Sequence, residues 1–544
     1  HSVGICYRCH SVIEPLVSRQ WFVKTADLAK KAITAVKNGQ TKLDPASWDK
    51  TFFDWLENIR DWCVSRQLWW GHRIPAFFCP SCQKTLVSRE DLTVCPDCQG
   101  ALKQDPDVLD TWFSSALWPF STLGWPERTA DLARYFPTTV LVTGFDIIFF
   151  WVARMMMMGL WVLDEVPFST VVLHPLVRDE AGKKMSKSKG NVVDPIGIIE
   201  TYGSDAFRFA LTAQASQGQD LRLSENRIAG YGKFINKLWN AARFVLTNLG
   251  AETFAGEPWE PSSLPERWIK ARLEMTAALC RTYLETFVFD RLAETIYHFV
   301  WDEFCDWYLE LVKPVLFDES VDPKLVAQTR RNLLRSLVAV LELAHPIVPF
   351  VTEEIWSQIP SAPGFLMKRP YPGGEAGEPD LAALSQIGFL MDVVKATRSA
   401  RADFGVPPGA KVAPLVLTKD PQLLELLKQY SPILLRLMGA ESLRTVPEDA
   451  VKPKDAAFSV LAWGEVWTPL GGHIDLAVET ARLAKEEDFL NREIDRAKIK
   501  LQNPEYVAKA PPEVVEETKE RLAEMTKKAA AVLKSLAALK EMAP

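Results

Sequence analysis

The alternation of apolar and polar positions changes character near Ser224. Before it, between residues 52 and 210, short apolar runs that begin at Thr139 and Thr170 alternate with helical segments, a pattern typical of α/β layer proteins. After it the strand-like runs stop, and long amphipathic stretches such as residues 267–313 and 323–344 predict an all-α helix bundle. In an open α/β sheet the chemistry lies at the carboxyl ends of the strands, so functional residues are expected after the Thr139 and Thr170 runs.

The last part of the chain repeats apolar residues every three or four positions, as a coiled coil does. Asn503-Pro504 and Pro511-Pro512 interrupt the repeat, and proline cannot continue a helix. The pattern predicts two helices folded back on each other as an antiparallel coiled coil, with a plain helical hairpin as the alternative. The repeating positions are Leu476, Leu483, Leu490, Ile494, Ala497, Leu501, Leu522, Met525, Ala529, Val532, Leu536 and Leu539.

Residues 140–163 are apolar enough to raise the possibility of a membrane span. Asp146 and Arg154 lie inside this segment, and charges at bilayer depth are costly. A buried strand followed by a core helix is the better interpretation, and we expect no membrane association.

Composition narrows the class of protein. With 544 residues, 48% of them hydrophobic and 24% charged, the chain can form three or four domains with cores of their own. The formal net charge is −6, from 63 basic and 69 acidic residues, so any nucleic-acid binding must use local basic patches. Six of the nine cysteines fall in Cys-x-x-Cys pairs, which favours metal thiolates in a reducing compartment, here the cytoplasm.

The most specific chemical signal is a lysine-rich loop between Gly182 and Asn191. A glycine-flanked loop that bears lysines and small hydroxyls can hold a triphosphate and stabilise the charge that develops as pyrophosphate leaves. A solvated basic loop is the alternative for a generic run of this composition. The candidate catalytic residues are Lys184, Met185, Ser186, Lys187 and Ser188.

Four cysteines, Cys79, Cys82, Cys95 and Cys98, form two pairs within a predicted module at residues 77–101. Four thiolates in two such turns satisfy tetrahedral Zn²⁺ and leave no position for a substrate. The spacing therefore predicts a structural zinc site, with paired redox thiols or coincidence as alternatives. A third pair, Cys6 and Cys9, has no partner pair nearby, so the same argument does not assign it a metal.

Asp146 follows the Thr139 run, in the aromatic string 144–154 that enters a helix. On residue chemistry alone, its carboxylate could simply cap that helix, and the aromatic side chains could simply belong to the core.

Together these strings resemble those of class I aminoacyl-tRNA synthetases, in the branch specific for valine. The lysine-rich loop with its Lys-Gly-Asn-Val-Val-Asp-Pro continuation is similar to the family's KMSKS signature, which implies binding of ATP, with Mg²⁺, chiefly through Lys187. The resemblance implies that Asp146 receives the substrate ammonium and that Ile147, Trp151 and Trp112 form the walls of the amino-acid pocket. Residues 60–75 and 218–222 are also typical of this group.

The resemblance continues beyond the catalytic part. Residues 236–243 and 345–356 are similar to the stem-contact and anticodon-binding helices, and the carboxy-terminal hairpin is similar to the arm that distinguishes the valine-specific enzymes. It implies tRNA(Val), valine and ATP as partners and a monomer when complete. In the family, a cysteine pair similar to Cys6 and Cys9 closes a zinc site with cysteines further upstream. The resemblance implies that these partner cysteines would precede His1 here.

The sequence also departs from the family. It contains no His-Ile-Gly-His type string and no editing insertion, and it begins at His1 without an initiator Met. We therefore expect a carboxy-terminal portion that is inactive alone, because half of the nucleotide site is missing. The alternatives are a non-catalytic tRNA-binding module and an enzyme specific for isoleucine.

The expected organisation combines these assignments. The fold class is α/β, the second half of a Rossmann-type catalytic domain with a zinc-ribbon insertion, followed by an all-α helix bundle and a coiled coil. The predicted domains are 1–45, a return segment from the editing insertion; 46–223, the catalytic half with its zinc module at 77–101 and its loop at 182–191; 224–460, the stem-contact and anticodon-binding helices; and 475–544, the arm.

Overall fold

A computed structural model gives the architecture of the chain. It describes residues 3–6, 9–14, 17–185, 191–216, 220–250, 252, 259, 261–373, 378–453, 455–470, 476–502, 518–519, 521–526, 528–530, 532–533 and 536–537. The chain divides into two compact units: His1–Gly232 with Thr282–Glu294, and Lys233–Arg281 with Thr295–Pro544.

The first unit mixes short strands with helices. Its strands are β1 (Phe22–Val23), β2 (Lys42–Asp44), β3 (Trp62–Cys63), β4 (Ser65–Arg66), β5 (Ala76–Phe78), β6 (Thr85–Val87), β7 (Lys103–Gln104), β8 (Val108–Leu109), β9 (Thr138–Gly144), β10 (Phe168–His174), β11 (Val177–Arg178) and β12 (Leu221–Arg222). Its helices are α1 (Ala26–Lys37), α2 (Asp49–Glu57), α3 (Thr111–Ser121), α4 (Ala130–Tyr135), α5 (Ala153–Val162), α6 (Pro195–Tyr202) and α7 (Ser204–Ala213).

A parallel sheet in the order β2-β10-β9 forms the centre of this unit. Its two long strands are the apolar runs after Thr138 and Phe168, so the predicted strands are present. Val171, in β10, is fully buried, and helices α1, α2 and α5 contribute to the same core cluster. Parallel strands covered by helices are the arrangement that near-continuous apolar runs predict.

The apolar segment after β9 lies in this core. A 3-10 turn (Phe145–Ile147) and a π-helical turn (Ile148–Val152) lead into α5. Residues Phe145–Val162 are long and apolar enough to cross a membrane by length and composition, but half of that window is buried inside the protein, and Met155 and Met156 are fully enclosed. The segment therefore has the packing of a core helix, as the sequence predicts.

The second unit is mainly helical. Its helices include α8 (Glu225–Thr247), α9 (Leu264–Glu285), α10 (Phe289–His298), α11 (Leu309–Phe317), α12 (Pro323–Ala344), α13 (Pro349–Ser357), α14 (Leu381–Asp403), α15 (Pro421–Gln429), α16 (Ser431–Met438) and α17 (Leu476–Gln502), with a π-helical stretch at Phe299–Tyr308; α8, α9 and α10 have residues in both units. Helix α12 begins where Asp322 accepts a hydrogen bond from the Lys324 N–H and proline occupies the first turn, as helix capping favours.

The prediction that strands end near Ser224 is wrong. Strands β13 (Leu415–Leu417), β14 (Arg444–Val446), β15 (Ala456–Leu461) and β16 (Gly464–Pro469) form a mixed sheet in the order β14-β13-β16-β15. Strands β15 and β16 form a hairpin that turns at Ala462 and Trp463. These strands are only three to six residues long, too short for hydrophobic periodicity to separate them from the helices around them.

Candidate functional site

The aromatic walls predicted for the amino-acid pocket lie where α3 meets the π-helical turn before α5. Trp112, in the first turn of α3, lies with its ring centroid 6.1 Å from that of Phe150. Trp151 lies 6.3 Å from Trp118, also on α3. Trp112 and Trp151 are both half-buried. The structure therefore brings Trp112 and Trp151 to the same helix contact, where each packs against an aromatic ring of the other segment.

Asp146 lies just past the carboxyl end of β9, at the position where an open α/β sheet places its chemistry. It is exposed, and neither turn that follows β9 has a side-chain cap. Among the described residues its carboxylate has no hydrogen-bond or ion-pair partner, so the capping alternative is not supported. A Cβ atom on Gly144 would approach Asp146 Oδ1 to 2.8 Å, which explains the glycine at the end of the strand. Ile147 is half-buried beside it.

A network around Asp110 supports these walls, and sequence analysis missed it. Asp110 is 6% exposed and immediately precedes α3, but its side chain does not cap that helix. Its Oδ2 atom accepts hydrogen bonds from Trp62 Nε1 at 3.0 Å and lies 3.0 Å from Arg66 Nη2. Arg154 Nη1, from α5, lies 3.6 Å from the same oxygen. One carboxylate thus joins β3, β4, α3 and α5.

Arg154 is held tightly within this network. Its guanidinium carbon lies 4.0 Å from the centre of the Trp62 ring and 5.6 Å from that of Phe150. Burial lowers the pKa of Arg154, while the Asp110 carboxylate opposes that shift. Stacking on two aromatic faces and pairing with one carboxylate fix the side chain. The only sequence signal for this role of Arg154 was a charged residue inside an apolar segment.

A cavity of about 650 Å³ opens beside Arg154. Its walls include Trp55, Trp62 and Phe149, and the Asp54 and Asp61 carboxylates also line it. Trp112, Asp146, Ile147 and Trp151 are not among its lining residues. The cavity is therefore separate from the predicted amino-acid pocket, although Arg154 and Trp62 connect it to the Asp110 network.

The described base of the lysine-rich loop is organised around Asp179. Its Oδ1 atom accepts from the Lys183 N–H at 2.6 Å, and its Oδ2 accepts from Asn191 Nδ2 at 2.9 Å. The same Asn191 amide donates to the Lys184 carbonyl at 3.2 Å. The Asn191 hydrogen bond, followed by that of the Lys183 N–H, lowers the pKa of Asp179. Asp179 therefore holds the residues on both sides of the loop, Lys183 and Asn191, close together.

The structure locates only part of the predicted lysine motif. Lys184 is exposed and Met185 is half-buried. Ser186, Lys187 and Ser188 lie outside the described residues. Behind the loop, β11 pairs in parallel with β12, and Arg178 forms an ion pair with Asp220. These contacts join the loop base to the 218–222 string, of which Asp220, Leu221 and Arg222 are described.

The four cysteines of the 77–101 module converge. Their Sγ atoms all lie within 4.8 Å of one another, and the Cys79–Cys98 and Cys82–Cys95 sulfurs are 3.4 and 3.7 Å apart. Zn–S bonds of about 2.3 Å in a tetrahedron place sulfurs roughly 3.8 Å apart, so the donor set fits zinc. The backbone N–H of Cys82 is the main cause that lowers the pKa of the Cys79 thiol to about 6.

The two cysteine turns have the same backbone geometry. Gln83 N–H donates to the Cys79 carbonyl, and Gln99 N–H donates to the Cys95 carbonyl. Both glutamines have left-handed backbone conformations, with φ of 59° and 57°. The turns extend from the small sheet β6-β5-β7. By contrast, Cys6 is half-buried and Cys9 is exposed, and both are free thiols.

The helical unit offers a second candidate surface. A cavity of about 540 Å³ lies between α8 and α13, lined by residues that include Trp239, Arg243 and Glu354. Trp239 is 40% exposed. Trp356, in the 345–356 string, is only 1% exposed and donates to the Gly364 carbonyl, so it supports a loop and offers no face for stacking. An exposed aromatic ring beside an arginine is chemistry that suits unpaired bases.

Helix α17 contacts the helical residues between 518 and 537. Leu490, Ile494 and Ala529 form a buried cluster, against which Leu522, Met525 and Val532 pack. Arg521 lies 3.3 Å from Glu493 across this contact. The predicted turn at residues 503–511 lies outside the described residues.

Comparisons with known proteins place these features in a family. The family described as "tRNA synthetases class I (I, L, M and V)" matches residues 7–224, "Anticodon-binding domain of tRNA ligase" matches 266–417, and "Valyl tRNA synthetase tRNA binding arm" matches 475–540. The chain is 47% identical over 552 residues to a valine–tRNA ligase of Geobacter sulfurreducens, covering 100% of this chain and 61% of the relative. Over its whole length the chain is thus similar to valine–tRNA ligases.

Other matches agree with this assignment. A valine–tRNA ligase of Thermotoga maritima is 48% identical over 96% of this chain and 59% of its own length. Among solved structures, methionyl-tRNA synthetase of Mycobacterium tuberculosis in complex with methionyl-adenylate matches with a TM-score of 0.51 and 18% identity, over 68% of this chain and 72% of that one, which shows the fold alone. The chain spans 61% of the length of the first valyl-tRNA synthetase relative that it matches.

Proposed function

We propose that this chain supplies the amino-acid pocket, the lysine loop and the tRNA-binding parts of a valine-tRNA ligase, an ATP-dependent enzyme of the cytoplasm that joins valine to tRNA(Val) through a valyl-adenylate. The observation that carries the proposal is the identity of 43–48% to ligases of this specificity over nearly the whole chain. The relatives' specificity also disfavours the isoleucine alternative.

Asp146 is proposed to bind the ammonium group of valine. It lies past the carboxyl end of a parallel strand, exposed and without a partner among the described residues, so its charge is available to a ligand. A carboxylate forms a charge-assisted hydrogen bond with an ammonium group. Ile147, Trp151 and Trp112 are proposed to enclose the isopropyl side chain, and the Asp110 carboxylate holds Arg154 of the neighbouring helix α5.

Lys184, Met185, Ser186, Lys187 and Ser188 are proposed to bind ATP, which carries Mg²⁺, and to stabilise pyrophosphate as it leaves. The hydrogen bonds of Asp179 and Asn191 support this role because they fix both ends of the loop. Lys187 is proposed as the main phosphate contact, since a lysine ammonium is a compact positive charge that suits a polyphosphate.

Zn²⁺ bound by Cys79, Cys82, Cys95 and Cys98 is proposed to stabilise the 77–101 module. Four thiolates fill a tetrahedral metal, which then contributes to folding and takes no part in catalysis. Cys6 and Cys9 are left without a metal assignment.

The helical unit and the arm are proposed to bind tRNA. The cavity beside Trp239 and Arg243 supports this role through base stacking and a cationic contact, and residues 475–544 are proposed to form an antiparallel coiled coil that reaches the tRNA. The domain limits proposed from the sequence are retained, with residues 404–470 now carrying a small mixed sheet beside helices α15 and α16. The complete enzyme is proposed to act as a monomer.

The three-stranded parallel sheet is proposed to be the second half of the nucleotide-binding sheet. Since the 544 residues contain no His-Ile-Gly-His type string, the remaining ATP contacts are proposed to come from the polypeptide that the longer relatives contain. A near-complete preorganised site is needed for adenylate formation, because a misplacement of about 1 Å can cost a hundredfold in rate.

Valine-dependent exchange of pyrophosphate into ATP tests the proposal. The chain is supplied with the amino-terminal part of the Geobacter sulfurreducens relative, covalently joined or added separately. We expect exchange with valine and much less with isoleucine. Exchange that prefers isoleucine would overturn the specificity, and its absence in the joined protein would favour a non-catalytic tRNA-binding module.

A further inference from the structure

The carboxyl end of β10 carries a histidine that no role assigned above uses. An open α/β sheet places its chemistry at the carboxyl ends of its strands, and Asp146 occupies that position beyond β9. His174 is the last residue of β10 and is exposed. It pairs in register with Gly144, the last residue of β9. The ends of two neighbouring parallel strands therefore place Asp146 and His174 at the same edge of the sheet.

The two side chains approach the same point above Gly144. A Cβ atom on Gly144 would lie 2.8 Å from Asp146 Oδ1 and 3.6 Å from His174 Cε1. The glycine therefore leaves room for both side chains beside each other. Among the described residues, Asp146 and His174 form no ion pair with each other, and both are exposed. Both remain available to a ligand.

A hydrogen bond determines which nitrogen of His174 a ligand can use. His174 Nδ1 lies 2.9 Å from the Pro175 carbonyl oxygen. Because a carbonyl oxygen only accepts, Nδ1 is the nitrogen that donates, and in the neutral ring Nε2 is then an acceptor. Nε2 has no hydrogen-bond partner in the part of the chain that the structure describes. His174 thus offers an acceptor beside the Asp146 carboxylate.

The chain that follows His174 is held in place. Pro175 is buried. The Leu176 N–H donates to Asp220 Oδ1 at 3.4 Å, and the Leu221 N–H donates to the Leu176 carbonyl at 2.9 Å. These contacts and the pairing of β10 with β9 hold the histidine backbone on both sides. An acceptor held in this way loses little conformational entropy when a ligand binds.

We propose that His174 Nε2 accepts a hydrogen bond from the ammonium group of valine, as a second partner beside Asp146. The inference rests on the proposed function, which assigns this ammonium to Asp146. An ammonium group has three N–H donors, and each donor that loses water without gaining an acceptor weakens binding. A phosphate or carboxylate group would gain nothing here, because it would meet a carboxylate and an acceptor nitrogen.

Two variants of His174 separate this role from a structural one. His174→Asn keeps an amide nitrogen near the position of Nδ1, which can still donate to the Pro175 carbonyl, but places no acceptor near Nε2. His174→Gln places its amide oxygen near the position of Nε2 and so keeps an acceptor. If the histidine only closes the turn at Pro175, the asparagine variant is the milder of the two.

Pyrophosphate exchange measures the effect in the chain joined to the amino-terminal part of the Geobacter sulfurreducens relative. The KM values for valine and for ATP are determined separately, because a ribose hydroxyl of ATP could also donate to Nε2. The control is His298→Asn, which changes an exposed histidine of the second unit that pairs with Asp302.

We expect His174→Asn to raise the KM for valine by about ten- to a hundredfold, the effect of losing a hydrogen bond to a charged group. The KM for ATP should be unchanged, and His174→Gln and His298→Asn should resemble the wild type. A rise in the KM for ATP instead, a wild-type KM for valine in His174→Asn, or a greater loss in His174→Gln overturns the inference and leaves Asp146 in the site. Absence of valine-dependent exchange in the joined wild-type protein overturns the proposed function and the inference together.

Discussion

Arg154 Nη1 lies 3.6 Å from Asp110 Oδ2, and this ion pair joins the helix that follows Asp146 to the start of the helix that carries Trp112 in its first turn. The two side chains are 12% and 8% exposed. Together with the ring contacts of Trp112 with Phe150 and of Trp118 with Trp151, this pair fixes one part of the proposed pocket relative to the other.

Asp110→Asn should destabilise the first unit. The amide keeps an acceptor for Trp62 but leaves Arg154 without a countercharge, and breaking a buried pair costs roughly 3–5 kcal/mol. Arg66 is 38% exposed, so solvent screens its ion pair with Asp110. We therefore expect the free energy of unfolding to fall by about 2–3 kcal/mol. Hydrogen exchange of peptides from α3 and α5 should accelerate.

Asp91→Asn is the matched control for this change. Asp91 pairs with Arg73, and both side chains are more than 60% exposed, so we expect a loss of less than about 1 kcal/mol. Equal protection of α3 and α5 in the two variants would contradict the structural role of Asp110.

Asp146→Asn should weaken the use of valine in the completed enzyme. Replacing a charge-assisted contact by a neutral one should lower kcat/KM for valine-dependent exchange by roughly 5–30-fold. Asp164→Asn, at an 88% exposed carboxylate paired with Lys31 beyond the end of α5, should leave exchange unchanged. Wild-type exchange by the Asp146→Asn enzyme would remove Asp146 from the site.

Metal analysis should find about one tightly bound zinc per chain, the stoichiometry of a four-thiolate structural site. Cys95→Ser should abolish the metal and loosen residues 77–101, because structural zinc contributes folding free energy directly. Cys63→Ser and Cys9→Ser should retain the zinc. Substantially less than one zinc in the wild type, or full zinc in Cys95→Ser, would count against the site.

The arm should affect tRNA charging and not adenylate formation. Deleting residues 476–544 should weaken charging while leaving valine-dependent exchange of the completed enzyme intact. Ile494→Asp, at a position 6% exposed in the helix contact, should have a similar effect, whereas Ile499→Asp, at a position 66% exposed, should not. If both reaction steps fell together, the arm would be a folding element.

Sequence patterns predicted the features that depend on local spacing. The strands after Thr138 and Phe168 follow from continuous apolar runs, and helix α12 from the amphipathic stretch at residues 323–344. The cysteine spacing predicted four sulfurs close in space. Asp110 could not be found in this way, because its partners Trp62, Arg66 and Arg154 come from separate parts of the chain and only the fold brings them to one oxygen.

The missed sheet has a different cause. Its strands are short, and Leu417 and Arg444, at the ends of paired strands, are separated by two helices that dominate the local pattern. Resemblance to a family supplied the roles of Ile147, Trp151 and Trp112, since an aromatic or aliphatic wall cannot be distinguished from core by residue type alone.

Valine-dependent pyrophosphate exchange tests the central claim most directly. The claim is that this chain holds the valine pocket and lysine loop of a ligase whose remaining ATP contacts lie elsewhere. The chain alone should give no exchange, and joining it to the amino-terminal part of the Geobacter sulfurreducens relative should restore exchange that Lys187→Ala then reduces by roughly a hundredfold or more, as loss of a transition-state charge contact does. Near-normal exchange by the 544 residues alone, or exchange by the joined protein that is insensitive to Lys187→Ala, would contradict the account.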